Sequence, residues 1–210
     1  MGSYRHEATR TQKFILILLV LIIIAFGGWL FISNYEGKTL EAGVQVDSKP
    51  RQGKISIDRT FKKEKYTIIP LASFKMEGKI LAKKRYVLGS GSDLAPYDLA
   101  MGWGRMSDET ILDKIKISQI QRFYSWKAEV LPIPRREIEK SSANMHIIPA
   151  NKNIKKIVRK ADEWDVISLK GYLVKVIADD FHWKSSLTRN DTGDGACELI
   201  WVEEFEILKS

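Results

Sequence analysis

The chain has 210 residues, 44% of them hydrophobic, with six tryptophans and a formal net charge of +8, which excludes a disordered tail and provides for a packed core. Its single cysteine, Cys197, excludes an internal disulfide framework. The basic excess is uneven: residues 34–85 hold 13 Lys and Arg against 6 Asp and Glu, whereas residues 86–210 hold 18 against 19.

From Phe14 to Ile32 runs an apolar stretch without a charged side chain, FILILLVLIIIAFGGWLFI. As a helix rising about 1.5 Å per residue it is roughly 28 Å long, enough for a hydrocarbon core. It exceeds a signal-peptide core of about 7–15 residues, and the small-x-small step Ala25-Phe26-Gly27 lies inside it. A retained transmembrane helix over 14–32 is therefore expected. Arg5, Arg10 and Lys13 against Glu7 precede it, and Glu36, Lys38 and Glu41 follow. That asymmetry predicts a cytoplasmic tail over 1–13 and export of the remainder, with Trp29 and Tyr35 at the outer interface. Gly27-Gly28 permits close helix approach and, through it, a homodimer. The implied location is a single pass in a bacterial-type inner membrane, with the lipid bilayer as a partner and the C-terminal domain periplasmic or extracellular.

Residues 33–53, polar and carrying glycines and a proline, read as a linker. An exported β-rich domain is expected over 54–210. Lys54 to Asp58, Tyr66 to Leu71 and Phe74 to Ala82 alternate as strands, with Gly78 as a bulge. Gly89 to Asp108, rich in Gly, Ser, Asp and Pro, reads as a long ordered loop with a short helix at Tyr97 to Met101. Ser107 is the expected N-cap of a helix using Ile111, Leu112 and Ile115. From Arg122 the period falls to two, with Tyr124, Trp126, Ala128 and Val130 on one face and Phe123, Ser125, Lys127 and Glu129 on the wet one. A short basic helix is predicted over Asn151 to Lys160 and a strong strand from Asp165 around Gly171, a segment patterned like Phe74 to Ala82. A terminal hairpin is predicted from Trp183 to Arg189 and Ala196 to Glu203 about the turn-rich Asn190 to Gly195. The pattern implies an α+β domain, mainly β: a small curved sheet or OB/SH3-like barrel with one or two short helices.

Several side chains are candidates for chemistry. His146 serves as a general base only beside a partner, for which Asp98, Glu198 and Asp191 are available. Cys197 with His146 has the composition of a nucleophilic pair, but its alternation with Leu199 and Trp201 reads as packing. Asn190, Asp191, Asp194 and Glu198 offer hard oxygen ligands without the spacing of a calcium loop, and His6, His146 and His182 lack a zinc spacing. No metal or cofactor is expected, and the Gly89-to-Ser92 tetrad is not a phosphate loop. Arg105 after Trp103, Arg122 beside Phe123 and Tyr124, and Arg189 at the hairpin tip form an anion site if they converge on His146.

The leading functional reading is a membrane-anchored binding or assembly module for an envelope protein or anionic ligand, engaging it through the loop at 89–106 and the hairpin tip, with Trp103, Arg105, Asp191 and Asp194 as ligand contacts. The alternative is a membrane-tethered hydrolase using His146 with Arg122, Arg189 and Glu198 as the carboxylate. Nucleic acid is not expected as a partner, since aromatics interleave sparsely with the basic residues.

Overall fold

The computed structural model describes residues 10–33, 40–55, 59–188 and 197–210, with side chains within the first segment described for 14–26. The chain divides into two compact units, residues 1–40 and 41–210. The first contains α1 (Arg10–Ser33), whose side chains from Phe14 to Phe26 are exposed. The expected span over 14–32 thus falls on helix, yet among the described residues no helix is long and apolar enough to cross a membrane. The structure lends the span no support, and the anchor stands on sequence.

The second unit is mainly β with a few short helices. Its strands are β1 (Arg51–Gly53), β2 (Phe61–Lys63), β3 (Tyr66–Arg85), β4 (Tyr97–Gly102), β5 (Lys116–Ile120), β6 (Phe123–Lys127), β7 (Ser142–Pro149), β8 (Val166–Ala178), β9 (Phe181–Lys184) and β10 (Glu198–Lys209). Its helices are α2 (Glu109–Leu112), α3 (Arg135–Lys140) and α4 (Lys152–Lys160). The 20-residue β3 pairs along its first part with β8 and along its end with β4, both antiparallel. Pairing continues from β4 to β7, from β7 in parallel to β10, and from β10 back to β8. Five strands therefore form a closed ring of ladders, which removes sheet edges from that part of the domain.

Alternation sets what faces inward. Phe74, Met76, Leu99, Met101, Met145, Ile147, Leu169, Leu173, Ile200 and Val202 fill the ring, and α4 adds Ile154 and Val158 to the same cluster. A second cluster covers one outer face, where Phe61 stacks on Trp201 with centroids 4.7 Å apart. A third lies beneath the β5–β6 hairpin and joins Tyr124, Trp126 and Ala128 to Leu81, Ala100, Met106 and Leu112. Between the second and third clusters, the outer faces of β4 and β7 present Asp98, Asn144 and His146, all buried.

Several expectations are corrected. Tyr97 to Met101 is not a helix within a loop but the buried β4: Tyr97, Leu99 and Met101 alternate inward, while small Ala100 and Gly102 leave room outside. Gly78 is not the bulge. The irregularities of β3 fall between Pro70 and Ala72 and between Ile80 and Ala82, and Gly78 instead makes room for Met76 and Met101, whose Cε atoms would lie 2.5 and 2.9 Å from an added Cβ. Asp108 rather than Ser107 caps α2, accepting from the Thr110 N–H at 2.9 Å. The terminal hairpin is not formed as expected, because β9 pairs with β8 while β10 lies between β7 and β8. The two look-alike segments around Phe74 and Gly171 are neighbours, with Phe74 opposite Gly171. Of the expected strand over 54–58, residues 56–58 lie outside the described residues.

The expected linker is docked over its second part. Ser107 Oγ accepts from the N–H groups of Gln45 and Val46 at 3.1 and 2.9 Å, and Val46 is buried in the ring cluster. Lys79 and Glu109 form a buried ion pair at 2.9 Å; Lys79 Nζ also donates to Gln45 Oε1 at 2.8 Å, and Glu109 Oε2 accepts from the Glu41 N–H at 3.0 Å. Those bonds hold the Glu109 carboxyl below its usual range against the opposing effect of burial, the largest influence on it. A charge so placed needs its partner.

Candidate functional site

The polar seam between the outer clusters is organised by Arg122. It sits at the β5–β6 turn, where Gln121 and Arg122 have φ of 51° and 72°. Successive left-handed residues match the twist of a two-residue hairpin turn but cost non-glycine residues energy. Contacts on every side hold the strained turn. The Arg122 N–H donates to Tyr86 Oη at 3.0 Å, and its carbonyl accepts from Asn144 Nδ2 at 2.9 Å. Nη1 donates to the Ala95 carbonyl at 2.8 Å and to Asp98 Oδ1 at 2.7 Å. The guanidinium lies 3.9 Å above the Tyr86 ring and 5.5 Å from that of Trp183. Gln119 Nε2 donates to Asn144 Oδ1 at 2.7 Å, extending the network into β5. Burial, the largest influence, pushes the Tyr86 hydroxyl up, and its bond from the Arg122 backbone opposes that shift.

His146 joins the same carboxylate. Its Cα lies opposite that of Asp98 in the β4–β7 ladder, and Nδ1 is 2.9 Å from Asp98 Oδ1. The imidazole packs on Trp183 with centroids 4.6 Å apart. Asp98 and His146 are 0% and 3% exposed. A histidine beside a carboxylate has the makings of an oriented base, but here the carboxylate is already held by a guanidinium and the ring is covered.

The other proposed site residues are dispersed. Glu198 is buried and shares the inward register of Ile200 and Val202, whereas His146 stands beside Leu199 on the outward register. Trp103 is buried in the ring cluster. Arg105 is exposed and donates to Glu137, Nε lying 2.6 Å from Oε1. It follows the far end of β4 from Asp98, about 13 Å along the strand at roughly 3.3 Å per residue, so Arg105 and Arg122 do not converge. Arg189, Asp191 and Asp194 lie outside the described residues. Among the described residues no group of three His, Cys, Asp or Glu is placed to hold a metal.

A cationic surface is the other feature. Asn151 caps α4, its Oδ1 accepting from the N–H groups of Asn153 and Ile154 at 2.9 and 3.0 Å. With Ile154 and Val158 turned inward, Lys152, Lys155, Lys156, Arg159 and Lys160 are all exposed. Lys63 Nζ donates to the Pro149 carbonyl at 2.8 Å just before the helix. Burial first, then the charge of Lys155, push the Lys63 amine down to about 8. Lys83 Nζ donates to the Arg159 carbonyl at 2.9 Å and to that of Ala161, and burial pushes its amine down. Lys83, Arg85, Tyr97, Arg159, Asp162 and Glu163 line an open pocket of about 410 Å³. The basic helix was legible in sequence; its junction with Lys63 and Lys83, which are about 90 and 70 residues away from it along the chain, depends on the fold.

Comparison of the chain with protein-family models, with curated proteins and with solved structures yields no match.

Proposed function

We propose that this chain is a membrane-anchored binding module that takes an anionic partner on the exposed face of α4. The observation that carries it is the gathering of five exposed α4 cations with Lys63. Burial is the main cause of the lowered Lys63 amine and the charge of Lys155 adds to it, a repulsion that a bound polyanion relieves. The ring order β3-β4-β7-β10-β8, with β7 and β10 parallel and α4 between β7 and β8, supports an OB-type barrel, a scaffold for extended ligands. Fold alone assigns no activity. The apolar run over 14–32 and its basic N-terminal flank support the anchor and the export of the domain. The loop surface first assigned to the partner is less suitable, because Tyr97 to Gly102 are buried.

The test uses full-length chain in neutral detergent micelles, titrated with dextran sulfate as polyanion. At about 1 kcal/mol per basic group, Lys155→Glu with Lys156→Glu weakens binding at least tenfold and flattens its salt dependence. Unchanged affinity would reject the α4 face. The hydrolase alternative keeps one favourable observation, the approach of His146 to Asp98. Hydrolysis of a model ester that disappears in His146→Gln, with folding retained, would support it.

A further inference from the structure

We infer that the loop after β3 and the β5–β6 turn together form an apolar wedge that enters the headgroup boundary of an anionic lipid bilayer. This rests on the anionic-partner reading and names the partner. Val87 and Leu88 are 70% and 87% exposed, and Ile120 and Phe123, flanking the turn, are 69% and 50% exposed. The two segments are fastened together by the Arg122 N–H bond to Tyr86 and the stacking of the guanidinium on its ring. The exposed apolar residues are therefore held on a braced support.

Charge identifies the occupant. Lys83, Lys84 and Arg85 directly precede the loop, and Lys83 and Arg85 share a pocket with Arg159 and with the carboxylates of Asp162 and Glu163, so three cations against two carboxylates link the apolar tip to the basic surface of α4. The outer face of the hairpin repeats the sequence of chemistries. Ile120 and Phe123 are opposite at the tip, Ser118 and Ser125 come next with hydroxyls 2.8 Å apart, and Lys116 faces Lys127 at the base. Two lysines directly opposite in a ladder repel, an arrangement that an anionic surface would relieve. Tip and lysines are about 13 Å apart along the strand, and interfacial apolar groups sink about 5–10 Å, which leaves the lysines at headgroup depth. A protein partner has no need of that gradient.

The experiment uses full-length chain with Cys197→Ser, labelled with an environment-sensitive fluorophore at Leu88→Cys, Val20→Cys or Glu206→Cys. It is reconstituted into phosphatidylcholine vesicles with brominated acyl chains, with or without about one third phosphatidylglycerol. Quenching at position 88 at least about twofold above position 206, and stronger with phosphatidylglycerol, is the expected result. Position 88 behaving like position 206 overturns the wedge, and so does equal quenching in neutral and anionic vesicles. Position 20 reports the anchor separately, while dextran sulfate binding by the Lys155→Glu, Lys156→Glu chain reports the α4 face. Failure of the wedge is thus distinguishable from failure of the underlying reading.

Discussion

Arg122 shows how one residue holds two elements in register. Its amide, carbonyl and guanidinium are all engaged, and its charge is the partner of a carboxylate with no exposure. Removing one member of a buried pair costs about 3–5 kcal/mol because the other is left charged in a poor solvent. Arg122→Ala should therefore lower stability by roughly that amount in urea unfolding, and Arg122→Lys should recover only part, lacking the planar stack on Tyr86. Lys63 gives a pH signature. Its folded-state proton affinity lies at about 8 against an unfolded value of 10.5. Below about 8 the folded state bears the cost of the charged amine, and stability rises with pH between 8 and 10.5 as folding releases the proton. For binding the sign is opposite: dextran sulfate affinity should fall from pH 7 to 9 as the cation is lost, and Lys63→Arg should remove the fall attributable to this residue.

The β5–β6 hairpin and the segment 41–47 are attached in different ways, one through a turn and the other through a buried charge. Gln121 has φ of 51°, so Gln121→Asn should stabilise the hairpin by about 0.5–1 kcal/mol, read as a raised urea midpoint. Gly171 sits where an added Cβ would lie 1.9 Å from the Trp201 carbonyl oxygen of the adjoining strand. Gly171→Ala should thus disrupt the closed ring and abolish cooperative unfolding. The elements most legible in sequence carry their signal locally: the two-residue period of β6, the apolar run of β8, and the Asn151 cap with Ile154 and Val158 of α4. β4 was hidden because turn-forming residues flank a short strand whose outward positions are Asp98, Ala100 and Gly102, one polar and two small. The terminal hairpin was misassigned because the partners of β10 are chosen by closure of the ring, which adjacent sequence does not reveal. The site divides similarly. His146, Asp98 and Arg122 were recognisable as residue types, but their meeting needed the β4–β7 register and a left-handed turn. Glu198 was lost to strand parity, and Tyr86 and Trp183 carried no signal beyond being aromatic.

The compact unit that holds the sheets spans residues 41–210 and so takes in residues 41–53, which the sequence reads as linker. Residues 41–53 supply Val46 to the core, the Gln45 bond to Lys79 and β1 against β3. A fragment of residues 41–210 should unfold at the same urea midpoint as the domain in the full chain. One beginning at residue 54 should be several kcal/mol less stable, because the buried Lys79–Glu109 pair loses its bonds to Gln45 and Glu41 and the space filled by Val46 opens. Circular dichroism of both fragments decides the boundary.

The ion pair between Glu41 and Lys209 is exposed and stabilises the domain little, but it marks where the two ends of the folded unit meet. Backbone enters and leaves the domain at one corner. A circular permutant joining Ser210 to Glu41 through a few glycines, with new ends opened in the loop around Gly89, should therefore keep the same strand pairings. A protein appended to the C-terminus would emerge beside the point of entry.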